Sequence, residues 1–236
     1  MKTITYSWVI PIKNESEALP RLIDEIKNMM VRAGKSYEIV AVNDASEDNT
    51  KKVLENLSKN FPQLRTINFP RHQGKWTALR EGIKAAEGEI IITSDSDGQD
   101  KPSEVKKLLE QLENGYDLVS GWRKVRHDPF YKILISKIGN YLISILTKKD
   151  FKDLNSPFKV YRKEVLAAIP KEGSLLRFSM LFAYKLGFRI REIPITHRPR
   201  IYGKSKFGII KYLRILYDLL LVYLLFSGSG RLTPRK

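Results

Sequence analysis

Asp95, Asp97 and Gln99 have the clearest chemistry to offer. They close the run Ile90-Ile91-Ile92-Thr93-Ser94-Asp95-Ser96-Asp97-Gly98-Gln99. Spaced at i, i+2 and i+4, their side chains share one face of an extended chain. Two carboxylates and an amide oxygen converging there suit Mg²⁺ or Mn²⁺, with a substrate's phosphates supplying further oxygens. The alternative is a polar turn in which Asp100 caps the next helix. The Ile-rich run favours the cation, because it reads as a buried strand that delivers the carboxylates to its own carboxyl end.

Two other apolar runs end in similar chemistry. One closes in Pro11-Ile12-Lys13-Asn14-Glu15, the other in Val42-Asn43-Asp44-Ala45-Ser46. A carboxylate such as Asp44 accepts from a nucleobase N–H, and Asn14 or Glu15 binds ribose hydroxyls. Helix N-capping by Ser16 and Ser46 is the competing explanation. All three strand ends together favour a ligand.

These residues need elements to position them. Ile4–Ile12, Tyr37–Val42, Leu64–Phe69, Glu89–Thr93 and Tyr116–Ser120 read as strands. Between them Glu17–Ala33, Asp48–Asn60, Trp76–Ala86 (closed by Gly88) and Pro102–Leu112 carry helical spacing. This alternation predicts an α/β fold with a mostly parallel sheet flanked by helices. Ligands of such sheets bind beyond the carboxyl ends of the strands. Further on, Phe158–Tyr161 reads as a strand and is followed by a short helix to Pro170. Leu175–Leu186 reads as an amphipathic helix ended by Gly187, and Arg189–Thr196 as an exposed strand. Phe130–Leu146 is strongly apolar, His197–Phe207 is a basic loop, and a last helix is expected from Gly208 to Phe226.

The chain has 236 residues, no cysteine, and 42 Lys and Arg against 26 Asp and Glu. Its length allows a full hydrophobic core. The lack of cysteine excludes disulfide scaffolds, thiolate metal sites and cysteine nucleophiles. The formal charge of +16 is uneven: residues 1–118 carry a net −2 and residues 119–236 a net +18. That asymmetry points to an anionic partner for the second half. Nucleic acid is not expected, because the basic residues show no aromatic stacking pattern and no RNP, helix-turn-helix or zinc signature. Residues Met1–Glu15 do not read as a signal peptide. No run of about 18 uncharged apolar residues suggests a transmembrane helix.

Together these stretches resemble the family 2 glycosyltransferases of the GT-A fold, in the dolichol-phosphate mannose synthase-like branch. The resemblance rests on the three strand ends above, on Gly74-Lys75 with Ala78 and Gly82, and on Ser120-Gly121-Trp122-Arg123. It continues through Asp153-Leu154-Asn155, Phe158-Lys159 and Arg162, and through His197-Arg198-Pro199-Arg200-Ile201-Tyr202-Gly203-Lys204-Ser205-Lys206-Phe207. It covers roughly residues 5–226. The last stretch is the most particular to enzymes acting on polyprenyl phosphates. Asn43 departs from a frequent Asp, and Ser156-Pro157 from a common Cys-Gly pair.

The resemblance implies inverting transfer of a hexose from a nucleotide sugar, of GDP-mannose or UDP-glucose type, to a dolichyl or undecaprenyl phosphate. It implies that Asp95, Asp97 and Gln99 hold Mg²⁺ or Mn²⁺. Pro11, Asn14, Glu15, Asp44, Lys75, Asp95 and Ser96 would line the nucleotide sugar. Arg123, Arg200, Ser205 and Lys206 would meet the acceptor phosphate, with Asp97, Arg123, Arg200 and Lys206 central to catalysis. A family 2 enzyme acting on a soluble or glycan hydroxyl, and a non-catalytic nucleotide-sugar binder, are the alternative readings.

A lipid acceptor requires a membrane-facing surface. The last helix sets Lys211, Arg214 and Asp218 along one face, is apolar all round in its final turns, and carries Tyr212, Tyr217 and Tyr223. It is expected to lie in the bilayer interface, assisted by flanking basic residues. The alternative is packing on the sheet or on a second protomer. The expected organisation is a GT-A domain over 1–206, with a nucleotide-sugar half (1–118) and an acceptor half (119–206). An interfacial helix (207–226) and a mobile tail (227–236) follow. The expected location is cytoplasmic, peripheral on the cytoplasmic face of a membrane.

Overall fold

The computed structural model describes residues 4–124, 141, 143–144, 149–170 and 173–199. Among these, seven strands form one sheet: β1 (Tyr6–Ile12), β2 (Tyr37–Asn43), β3 (Leu64–Asn68), β4 (Ile90–Thr93), β5 (Leu118–Arg123), β6 (Lys159–Arg162) and β7 (Ile190–Ile195). Their order across the sheet is β3-β2-β1-β4-β6-β5-β7. The helices are α1 (Leu19–Ala33), α2 (Thr50–Asn60), α3 (Lys75–Ala85), α4 (Val105–Glu113), α5 (Lys163–Ala168) and α6 (Ser179–Lys185).

The central strands are apolar on both faces, as strands covered by helices on two sides must be. Trp8 and Ile10 of β1 pack in a cluster with Leu22, Ile26, Leu54 and Leu108, drawn from α1, α2 and α4. Val9 points the other way and joins Ala78, Ile83, Leu166 and Phe182 of α3, α5 and α6. The result is a three-layer helix–sheet–helix arrangement.

The mostly parallel sheet is as expected, but β4 and β5 are not neighbours. β6 lies between them, antiparallel to both. β5 is parallel to β7, so β1, β2, β3, β4, β5 and β7 all point the same way. Their carboxyl ends and the amino end of β6 therefore share one edge. Seven loops from distant parts of the sequence meet there.

Three local expectations change. Gly88 does not close α3, whose last turn ends at Ala86. Gly88 instead lies against β1, where a Cβ would sit 2.7 Å from the backbone nitrogen of Ser7. The stretch Leu175–Leu186 is not one amphipathic helix. A 3-10 segment, Gly173–Phe178, leads into α6, and Ser179 to Ala183 are all buried. The first five residues of α6 are covered because the helix packs beside β5 and β7 while the 3-10 segment lies against α3. Gly187 does end it, in a left-handed conformation. Pro102 opens a 3-10 turn, Pro102–Glu104, rather than α4 itself. Phe130–Leu146, apart from residues 141 and 143–144, and the helix expected over 208–226 lie outside the described residues.

Candidate active site

The shared edge assembles the residues singled out in the sequence. β1 and β2 end side by side, with Ile12 opposite Asn43. The loops that follow cross-link each other rather than capping helices. Asn14 donates its N–H to Ser46 Oγ at 2.8 Å and accepts from the Glu47 N–H through Oδ1. The Glu15 N–H bonds Thr50 Oγ1 at 2.9 Å. Capping by Ser16 and Ser46 is thus not used, and neither α1 nor α2 has a side-chain cap. Asn43 explains its departure from Asp: its amide donates to Asn68 Oδ1 across β2–β3 and accepts from Ser46 N–H. A carboxylate has no proton for the first bond.

Asp44 is buried and accepts from the N–H groups of Gln73 and Gly74 at 2.7 and 2.9 Å. His72 Nδ1 lies 2.8 Å from the same carboxylate. Asp44 therefore fixes the loop that starts α3. The first residue of that helix is Lys75, whose ammonium pairs with Asp95. The start of α3 and the acidic loop are thereby brought together. Pro11, Lys75, Trp76, Ser94, Asp95 and Lys159 line a cleft at this point.

The acidic segment itself is bent, not extended. Gly98 adopts φ +70°, where residues with a Cβ are strained, and the Gln99 N–H folds back onto Asp97 Oδ1 at 3.1 Å. The bend brings the Gln99 amide to the Arg198 carbonyl, 3.1 Å away. Asp100 makes an isolated antiparallel bridge to His197. Ser96 is buried beneath the loop, and Asp97 is partly exposed. Asp100 is also buried, and its Oδ1 has no hydrogen-bond partner. Desolvation, then the Asp95 charge, pushes its carboxyl up to about 7.

Among the described residues no three His, Cys, Asp or Glu side chains form a ready metal cage. The loop nevertheless offers an oxygen-only set: two carboxylates and the Gln99 amide oxygen. That set fits Mg²⁺ or Mn²⁺, ions that keep several positions for water and phosphate oxygens.

Arg123, the last residue of β5, is held by Asp153. Its Nε lies 2.7 Å from Asp153 Oδ2 and its Nη2 3.0 Å from Oδ1, a bidentate pair. Asp153 in turn receives its place from Glu192 of β7, which accepts from the Lys152 and Asp153 N–H groups. Arg200, Ser205 and Lys206 lie outside the described residues. The chain reaches Pro199 at this same edge.

Asp153, Lys159 and Arg198 were not assigned roles by the sequence pattern, although the stretches around them stood out; Asp100, the alternative helix cap, makes no side-chain cap to the 3-10 turn or to α4. Lys159 is buried, and its ammonium donates to the carbonyls of Leu154 and Ser156. It thereby shapes the wall of the cleft at Ser156-Pro157. Burial pulls its pKa down to about 8. Between about pH 8 and 10.5 the unfolded chain then binds more protons than the folded one, so this residue's contribution to stability rises with pH. The stability of the wild type relative to Lys159→Met is expected to improve by up to about 3 kcal/mol from pH 7.5 to pH 10.5. Urea unfolding at the two pH values checks this.

Comparison with known proteins agrees with the architecture. A family model described as glycosyl transferase family 2 matches residues 7–169. The chain is 32% identical over 217 residues to the undecaprenyl-phosphate 4-deoxy-4-formamido-L-arabinose transferase of Proteus mirabilis (strain HI4320), covering 91% of this chain and 66% of that protein. It is likewise 32% identical over 220 residues to the Edwardsiella ictaluri (strain 93-146) protein of that name, covering 92% and 68%. The chain thus spans about two thirds of the length of these relatives. Among solved structures, glucosyl-3-phosphoglycerate synthase from Mycobacterium tuberculosis, in complex with Mn²⁺, uridine diphosphate and phosphoglyceric acid, superposes with a TM-score of 0.74. The match covers 99% of this chain and 80% of that one at 17% identity, a likeness of fold.

Proposed function

The chain belongs to glycosyl transferase family 2 and has the GT-A fold, and on that premise we propose that it transfers a sugar from a nucleotide sugar to the phosphate of a polyprenyl phosphate. The observation that carries this reading is the junction of two loops. The acidic loop after β4 is hydrogen-bonded to the start of the basic stretch that follows β7, through Asp100–His197 and Gln99–Arg198. A nucleoside diphosphate held at the first and an anionic acceptor held at the second would meet at one edge of the sheet. The names of the relatives, transferases acting with undecaprenyl phosphate, support the same acceptor class.

The chemistry asks little proton transfer of the protein. A phosphate monoester has a second pKa of about 6, so at pH 7 it is largely a dianion and needs no general base. One of its oxygens attacks the anomeric carbon. The bond from that carbon to the nucleoside diphosphate breaks, the electron pair leaves with the diphosphate, and the configuration inverts. The protein's tasks are to aim two anions at each other and to neutralise them. Asp95, Asp97 and Gln99 would hold Mg²⁺ or Mn²⁺, which stabilises charge on the departing diphosphate. Lys75, paired with Asp95, lies beside that position. Asp44, Asn14 and Glu15 shape the loops around the nucleoside. Arg123, oriented by Asp153, and Arg200, Ser205 and Lys206 would receive the acceptor phosphate, Arg200 through a planar fork and Lys206 as a point charge.

A lipid acceptor places the reaction at a membrane surface, and the +18 of residues 119–236 suits an anionic one. No helix among the described residues is long and apolar enough to cross a membrane. Steady-state kinetics of Arg200→Ala test the acceptor assignment. The KM for polyprenyl phosphate is expected to rise about tenfold or more, the loss of one charge-assisted contact, with the KM for the nucleotide sugar little changed. Equal rises in both would remove Arg200 from the acceptor site.

A further inference from the structure

Arg198 connects more of the candidate site than any residue given a role above. Its backbone N–H donates to the Gln99 carbonyl at 2.8 Å, and its own carbonyl accepts from the Gln99 side-chain amide at 3.1 Å. Its Nε donates to the Gly98 carbonyl at 3.1 Å. Its Nη1 and Nη2 reach Glu25 Oε1 and Oε2 on α1 at 3.1 and 2.7 Å. Glu25 is braced from the other side by Arg21 at 2.8 Å. The guanidinium is largely buried, with 16% of the Arg198 side chain exposed. Five hydrogen bonds thus tie one residue to both peptide units of the Gly98–Gln99 turn, to the Gln99 side chain and to a helix of the first half.

We propose that Arg198 is a positioning residue that presets the Gln99 side chain and the Gly98 turn for a divalent cation carrying a nucleoside diphosphate. A side-chain amide can turn either end toward a cation, but only its oxygen can ligate one. The Arg198 carbonyl engages the NH₂ end, because only a donor can meet a carbonyl, and the oxygen is the end that remains to ligate. The guanidinium does the complementary work on the turn. Glycine has wide conformational freedom, and the Nε bond to the Gly98 carbonyl, anchored through Glu25 to α1, holds the left-handed bend. The anchoring also runs outward. Arg198 is two residues before Arg200, so the segment that fixes the acidic loop is the one that leads into the basic stretch. The inference rests on the proposed function in one respect, that the acidic loop binds a cation with a diphosphate.

The test is binding of Mn²⁺, followed by electron paramagnetic resonance, to the purified full chain with UDP or GDP present and no acceptor. The proteins compared are the wild type, Arg198→Ala, Glu25→Gln and the double variant. Arg198→Ala keeps the backbone carbonyl that meets the Gln99 amide and removes the guanidinium that holds the turn. Partners that orient metal ligands typically contribute 10- to 100-fold in metal affinity, so this variant is expected to bind Mn²⁺ about 10-fold more weakly. Glu25→Gln, which keeps the shape and removes the charge, is expected to lose a smaller factor in the same direction. Its effect should largely vanish in the Arg198→Ala background, because Glu25 acts through Arg198. Far-ultraviolet circular dichroism identifies any misfolded variant, and Glu25→Gln then carries the comparison. Wild-type affinity in folded Arg198→Ala would overturn the inference, as would additive losses in the double variant. Absence of Mn²⁺ binding by the wild type with either nucleotide would instead overturn the functional reading, and the inference with it.

Discussion

Asp97→Ala is expected to abolish cation-dependent sugar transfer while leaving the fold in place. Asp97 lies in the bend after β4, partly exposed, and accepts the Gln99 N–H at 3.1 Å. Losing that bond costs about 1 kcal/mol of stability. Its chemical role is of another size. The departing diphosphate gains a full negative charge as its bond to the sugar breaks. Removing one preorganised group that stabilises such charge typically costs about 10²- to 10³-fold in rate. The loss in kcat/KM is therefore expected to be at least about 10²-fold, read with saturating Mg²⁺ or Mn²⁺. Asp97→Asn should fall between, since an amide oxygen can ligate without a charge. Full activity of Asp97→Ala in chelator-washed protein would show that the acidic loop holds no essential cation.

The largest effect on stability is expected from Asp153→Ala. The Asp153 and Arg123 side chains are only 4% and 11% exposed. Removing the carboxylate leaves a guanidinium in a low-dielectric setting with its bidentate partner gone. Breaking one side of such a buried pair costs about 3–5 kcal/mol. It also cuts the side-chain link from Arg123 of β5 to the Asp153 loop, whose backbone N–H stays bonded to Glu192 of β7. Asp153→Ala should therefore lower the unfolding free energy by about that amount in urea. Adding Arg123→Met should recover much of it, because no charge is then stranded. A loss below about 1 kcal/mol in the single variant would mean that water reaches the pair. The functional corollary is that the Asp153→Ala protein, where it remains folded, loses the fixed orientation of Arg123 on which the proposed acceptor site depends.

The architecture was legible where periodicity is strong. The five strands and four helices of the first 120 residues are all present, because both faces of the central strands are apolar and the helices carry one apolar stripe each. The ends of the strands were legible too: Asp44, Asp95 and Asp97 sit at the shared edge because parallel strands put their carboxyl ends there. The insertion of β6 was not visible. Nothing in Lys159–Arg162 says that it pairs antiparallel between β4 and β5, since pairing partners are set by tertiary packing. The extended geometry expected at Asp95–Gln99 also failed, because Gly98 turns the chain and Arg198, about a hundred residues away, holds the turn. Arg123 shows the same limit. Its type suggested a phosphate, and its fixed partner Asp153 could be found only when the two loops were seen together.

The most direct test of the central claim is a product assay on the purified chain. Several nucleotide sugars, among them GDP-mannose and UDP-hexoses, are each incubated with undecaprenyl phosphate, with and without Mg²⁺ or Mn²⁺, and the lipid fraction is weighed by mass spectrometry. The account predicts a polyprenyl phosphate heavier by one glycosyl unit for at least one donor, with the matching nucleoside diphosphate released, only when the cation is present. Transfer from the same donors to a soluble hydroxyl acceptor, with the lipid phosphate unchanged throughout, would contradict it.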